Sequence, residues 1–130
     1  MEHLIEKAME ARTNAYVPYS RFAVGAALEA ESGRFYLGCN VENASSGLTQ
    51  CAERVALGCA VTAGERSFKA VAVVSETMAS PCGACRQALA EFSPDMDIIA
   101  ADTSGEHQIF KLADLLPHRF SRGDLPSRCI

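Results

Sequence analysis

The chain has 130 residues, enough for one domain that buries about two-thirds of the surface its unfolded chain exposes. With 48% hydrophobic and 22% charged residues, the composition is that of a globular protein and not a disordered one. A net charge of −4 with no block of like charges argues against a polynucleotide partner, whose phosphates call for clustered Lys and Arg, and suits a neutral small substrate.

In chain order, Leu4, Ile5, Ala8, Met9 and Ala11 recur at helical spacing and predict a helix over 2–15. Pro18 ends that pattern, because it removes an N–H and disfavours helix in the residue before it. Phe22 to Ala30 and Arg34 to Cys39 read as the two strands of a hairpin, turning at Glu31-Ser32-Gly33. A polar loop over 40–50 leads to a second helix from Cys51 to Ala63, with Gly64 placed to stop it. Ala70 to Val74 shows no alternation, which suits a strand buried on both faces. A third helix opens at Ser80-Pro81 and runs through Phe92. Strands follow at 97–101 and 108–110, and a short helix over 112–116 ends before Pro117. The order implies about five strands covered by helices, with parallel strand–helix–strand crossovers, in a single domain spanning 1–130.

No apolar stretch approaches the length of a membrane span. The N-terminal Met1-Glu2-His3 lacks a basic region followed by an apolar core, so a cytoplasmic location is expected. Cys129 stands too close to the end to form a prenylation box. Clustered cysteines in such a chain point to metal or to reduced thiols before they point to disulfides.

The chemistry concentrates in Cys51-Ala52-Glu53 and Pro81-Cys82-Gly83-Ala84-Cys85. Cys82 and Cys85, spaced around a helix start, can turn both sulfurs to one point, and Cys51 opens the other helix. Three protein ligands leave the fourth position of a zinc ion to water, the arrangement of a catalytic site. Both helix N-termini then aim partial positive charge at the metal. Three thiolates on a divalent ion leave a net negative charge, which Arg54 can offset by donating to the sulfurs. Glu53 lies near enough to take a proton from metal-activated water without itself binding the ion. Alone it would be an ordinary exposed helix glutamate; between three thiols it is a proton shuttle. A purely structural zinc knot needs a fourth ligand. Cys59 lies about two helical turns, roughly 12 Å, beyond Cys51. Cys39 is the remaining candidate, although a small buried hydrophobe is its commoner role. His3, His107 and His118 have no ligand-like spacing.

These motifs belong to a longer collinear pattern. Val17-Pro18-Tyr19-Ser20-Arg21-Phe22-Ala23-Val24-Gly25-Ala26-Ala27-Leu28, Gly38-Cys39-Asn40-Val41-Glu42-Asn43-Ala44-Ser45, Cys51-Ala52-Glu53-Arg54, Pro81-Cys82-Gly83-Ala84-Cys85-Arg86-Gln87 and Leu115-Leu116-Pro117 together resemble the short-subunit cytidine deaminase family. The resemblance implies a three-layer α/β/α fold on a five-stranded mixed sheet, a homotetramer, and zinc-dependent deamination at C4 of cytidine and 2′-deoxycytidine in pyrimidine salvage. It implies one Zn²⁺ per subunit on Cys51, Cys82 and Cys85, with Glu53 moving protons. Asn40 and Glu42 would grip sugar hydroxyls, Phe22 would pack on the pyrimidine, and the Ala52 backbone would contact the base. Phe120 would reach a neighbouring subunit's pocket. On their own, Asn40 and Glu42 also read as ordinary loop polarity, and Phe22 and Phe120 as core aromatics.

Two positions depart from the pattern: Ser46 stands where the family often has tyrosine, and the polar Gln50 precedes the first cysteine. The loss of an aromatic there bears on substrate preference more than on the reaction. One rival is therefore a deaminase of a larger cytosine nucleoside such as blasticidin S. The other is a zinc-stabilised interaction module, which calls for four protein ligands and gives Glu53 no chemistry.

Overall fold

The structure, a computed structural model, describes residues 1–129. Helix α1 spans Glu2–Arg12, and strands β1 (Gly25–Ala30) and β2 (Phe35–Cys39) form the hairpin. Helix α2 (Ala52–Thr62), strand β3 (Phe68–Val74) and helix α3 (Gly83–Ala90) follow, then β4 (Asp97–Ala101), β5 (His107–Lys111) and α4 (Leu112–Leu115). The five strands lie in the order β2-β1-β3-β4-β5. Only β3 and β4 are parallel neighbours, and α3 carries the chain between them.

Side chains alternate across the sheet, and each face meets its own helices. On one face Ala27, Ala72, Val74 and Ile99 pack beneath Leu4, Ile5 and Ala8 of α1. On the other, Ala26, Leu28, Val71, Val73 and Ile98 meet Ala56, Leu57 and Ala60 of α2 and Leu89 of α3. The result is the expected three-layer α/β/α arrangement on a five-stranded mixed sheet. Ala70 to Val74 is buried along its whole length, as the absence of alternation predicts.

Several boundaries differ from the sequence reading. Helix α1 stops at Arg12, three residues early. Residues 22–24 lie outside β1, because the Asn40 side chain takes the Val24 N–H and the Phe22 carbonyl that a strand ladder would use. Helix α3 starts only at Gly83, since Cys82 is its extended N-cap. Gly64, at φ 100°, does turn the chain just beyond α2.

One close approach sets the position of α2. A Cβ at Gly38 would collide with the Ala52 carbonyl oxygen and would lie 2.5 Å from the Ala56 nitrogen. Helix α2 therefore rests directly on β2 at the turn that bears Cys51 and Glu53. Gly38→Ala is expected to destabilise the fold by about 2–3 kcal/mol through overpacking against backbone. Chemical denaturation measures this, and an unchanged midpoint would contradict the tight α2–β2 contact.

Candidate metal centre and active site

Two helix starts build the site. Cys51 is the N-cap of α2 and Cys82 that of α3; both are extended, and neither side chain caps its own helix. Their sulfurs are thereby free to point away from the helices, and Cys85, one turn into α3, joins them. The three Sγ atoms all lie within 4.8 Å of one another. Sulfurs about 2.3 Å from a tetrahedral zinc stand about 3.8 Å apart, so the group closes on that ion with small side-chain adjustments. No other Cys, His or carboxylate among the described residues joins the group. Cys39 is half-buried at the end of β2, and Cys59 is exposed. Among the described residues, the four-ligand knot therefore lacks its fourth ligand.

The electrostatics fit a cation at this point. Burial pushes the Cys85 thiol well up, and the charges of Glu53 and Cys51 add to it. Burial also works against ionising Cys82, but the backbone N–H groups of Cys85 and Ala84 and the neighbouring thiols outweigh it and bring its pKa down. A divalent ion allows all three to ionise together. Arg54 Nη2 donates to Cys51 Sγ at 3.5 Å. The soft thiolate set selects zinc, with iron the other ion such ligands accept.

Glu53 is 5% exposed and sits beside Cys85 without belonging to the sulfur group. Burial raises its pKa, partly opposed by its own backbone N–H and by Arg54. A desolvated carboxylate of this kind is a stronger base than an exposed one. It forms the wall of a cavity of about 230 Å³, together with Phe22, Asn40, Cys51, Ala52 and Cys82. Val24, Val73, Ala79 and Ser80 also line this cavity and were not singled out from sequence. Small residues such as Val24, Val73 and Ala79 carry no motif that separates a pocket wall from core, and Ser80 reads as the polar opening of a helix.

Asn40 Oδ1 accepts the Val24 N–H at 2.9 Å, and its Nδ2 donates to the Phe22 carbonyl at 2.8 Å. Each end of the amide keeps one further hydrogen-bonding position. Glu42 lies outside the cavity wall and receives the N–H groups of Tyr19 and Ser20 and the Ser20 hydroxyl. The Ser20 hydroxyl is the main reason its pKa lies below the usual carboxylate value. The clamp's stabilising effect is therefore present above the ordinary carboxylate range and lost as pH falls through the lowered value. Val41, between these two residues, pairs through both backbone groups with Gln50, which ties the segment to the residue before Cys51. The Gln50 side chain points to solvent, so its polarity carries no burial cost.

Arg86 braces the other approach. It donates to the Pro81 carbonyl, the Ser80 hydroxyl and the Leu115 carbonyl, joining the α3 start to the end of α4. Phe120 is 61% exposed and does not reach this chain's cavity; its carbonyl is held by Gln87. Ser46 opens an exposed 3-10 turn and does not line the cavity. The side chain of Cys129 lies outside the described part of the chain.

Residues 1–101 match the family model described as the cytidine and deoxycytidylate deaminase zinc-binding region. The chain belongs to this deaminase family. A cytidine deaminase of Sporosarcina psychrophila is 51% identical over 128 residues, covering 96% of this chain and 94% of the relative. One from Halalkalibacterium halodurans is 48% identical, covering 94% and 95%. The crystal structure of cytidine deaminase from Burkholderia pseudomallei superposes with a TM-score of 0.87 at 49% identity, covering 91% of this chain and 97% of that one. Zinc is the cofactor of this deaminase, one ion per chain, and Cys51, Cys82 and Cys85 are the group that fits it.

Proposed function

We propose that this chain is a cytidine deaminase, a hydrolase that converts cytidine and 2′-deoxycytidine to uridine and 2′-deoxyuridine with release of ammonia. The observation that carries this reading is the meeting of three thiols, two of which line one cavity with a buried carboxylate, and a lining that holds no cation. Glu53 is the only charged side chain among the described residues that line it. Within this chain's lining a 5′-phosphate finds no Lys or Arg to pair with, which favours the nucleoside over deoxycytidylate.

In this reading Glu53 accepts a proton from the attacking water and gives it to N3 of the ring as the C4–O bond forms. It then takes the proton of the new C4 hydroxyl and passes it to the exocyclic amine, which leaves as ammonia as the C4–N bond breaks and the C4 carbonyl forms. Zinc, when bound by the three thiolates, supplies the Lewis acidity that lowers the pKa of that water. Phe22 packs on the pyrimidine, the Ala52 backbone meets the base, and the free positions on Asn40 and Glu42 take sugar hydroxyls. Arg54 offsets thiolate charge. Phe120, exposed in the single chain, completes the pocket of a neighbouring subunit in a homotetramer. The whole of 1–130 forms one catalytic domain, acting in cytoplasmic pyrimidine salvage. No helix of the described residues is long and apolar enough to cross a membrane. The position of Ser46 outside the cavity lining gives no support to a larger nucleoside as substrate.

The test is a comparison of cytidine, 2′-deoxycytidine and deoxycytidylate at equal zinc loading. The two nucleosides are expected to react, with kcat/KM for deoxycytidylate at least about 100-fold lower, the scale of an ionic group left unpaired. Faster turnover of the nucleotide would overturn the nucleoside assignment.

A further inference from the structure

The geometry points to Ser20 as a positioning residue that ties the base platform, Phe22, to the sugar-facing carboxylate, Glu42. This rests on the proposed roles of those two side chains. One hydroxyl makes both links: Ser20 Oγ donates to Glu42 Oε2 and accepts the Phe22 N–H at 3.0 Å. Glu42 Oε1 meanwhile accepts the N–H groups of Tyr19 at 3.0 Å and Ser20 at 3.1 Å, which fixes the serine from its backbone side. Between the two links Arg21 stands at φ 58°, in the left-handed region. A long, non-glycine side chain stays there only where its neighbours impose it.

Phe22 is held equally firmly on its other side, by Asn40 Nδ2 on its carbonyl. Its two peptide groups are thus bound by side chains, because the β1 ladder begins only at Gly25. Each residue proposed to grip the sugar is therefore coupled to the backbone of the residue proposed to stack on the base: Asn40 directly, Glu42 through Ser20. The 19–21 turn is exposed and contributes nothing to either core, so its bonding adds only a small part of the fold's stability. Without the Ser20 hydroxyl, the turn keeps the Arg21 N–H bond to the Val17 carbonyl, but Phe22 loses the one of its two side-chain tethers that sets its approach from the Glu42 side. The pyrimidine then sits off the line to Glu53, and the loss falls on the chemical step more than on binding.

The test uses the zinc-loaded full chain with Ser20→Ala, Ser20→Thr, Phe22→Ala and the Ser20→Ala/Phe22→Ala pair. Ser20→Ala is expected to lower kcat/KM for cytidine about tenfold, mainly in kcat, with the unfolding midpoint falling by no more than about 4 °C, too little to account for that loss. Ser20→Thr, which keeps the hydroxyl, should stay within about twofold of the parent, and Ser20→Ala should add less than about twofold once Phe22 is Ala. Full activity in Ser20→Ala, or the same tenfold loss with and without the Phe22 ring, overturns the proposal. Hydrogen exchange at the Phe22 amide reads the link without substrate: it should quicken in Ser20→Ala and in Glu42→Gln. Unchanged exchange sinks the Ser20 link, whereas a parent protein inactive on cytidine sinks the substrate assignment instead.

Discussion

Glu53→Gln is expected to lower kcat/KM for cytidine by about 10³- to 10⁴-fold, the upper range of a general acid–base contribution, while zinc stays bound. The amide matches the carboxyl in size and can still hydrogen-bond, so the buried site repacks little. It cannot take a proton from water, and it cannot deliver one to N3 or to the departing amine. Because Glu53 stands beside the sulfur group and not within it, removing its charge leaves the metal ligands in place. Loss of a buried negative charge also relieves the desolvation that raises its pKa, so thermal stability should hold or rise. Metal analysis, a melting curve and steady-state kinetics on one preparation decide this. A variant that retains a tenth of the parent activity would remove Glu53 from the proton path. A variant that loses its zinc would make it a ligand.

Cys85→Ala is expected to take zinc content from one ion per chain towards none, and activity with it. Cys85 is fully buried on the first turn of α3, where no water can approach to replace its sulfur from outside. Two thiols remain, too few to hold the ion against dilution. Because the ion links the start of α2 to the start of α3, its loss removes ligand-linked stabilisation as well, and the midpoint should fall by about 5–10 °C. Cys59→Ala is the control: that thiol is exposed and outside the group, so zinc and activity should be unchanged. Full zinc occupancy in Cys85→Ala would contradict the three-thiol centre, as would zinc loss in Cys59→Ala.

What a stretch of this sequence reveals depends on the kind of signal its residues carry. Strand β4 appeared with the bounds read from its apolar run, and β3 was buried on both faces as its lack of alternation implied. Periodicity reports burial, and burial is what those strands have. Pro81 suits a helix opening, yet Cys82 stays extended as the N-cap and α3 starts only at Gly83. Residues 22–24 read as strand because Phe, Ala and Val favour it. A side chain sixteen or more positions on, Asn40, took their hydrogen bonds, and no local pattern records that. The metal group was legible because thiols at helix starts form a chemical signature independent of packing. Ser20 was not legible as a positioning residue, since an exposed serine after Pro18 and Tyr19 reads as turn chemistry. Its meaning depends on Glu42 folding back over the same turn. Phe120 shows the limit in the other direction: the family resemblance directs it to a neighbouring subunit, and in the single chain it lies exposed.

The most direct measurement is turnover of cytidine by the zinc-loaded chain in water enriched in heavy oxygen, with mass analysis of the product and assay of ammonia. Hydrolytic deamination predicts uridine carrying one solvent oxygen at C4 and one ammonia per uridine formed. Unlabelled uridine, or cytidine left intact by a folded and zinc-replete protein, would contradict it.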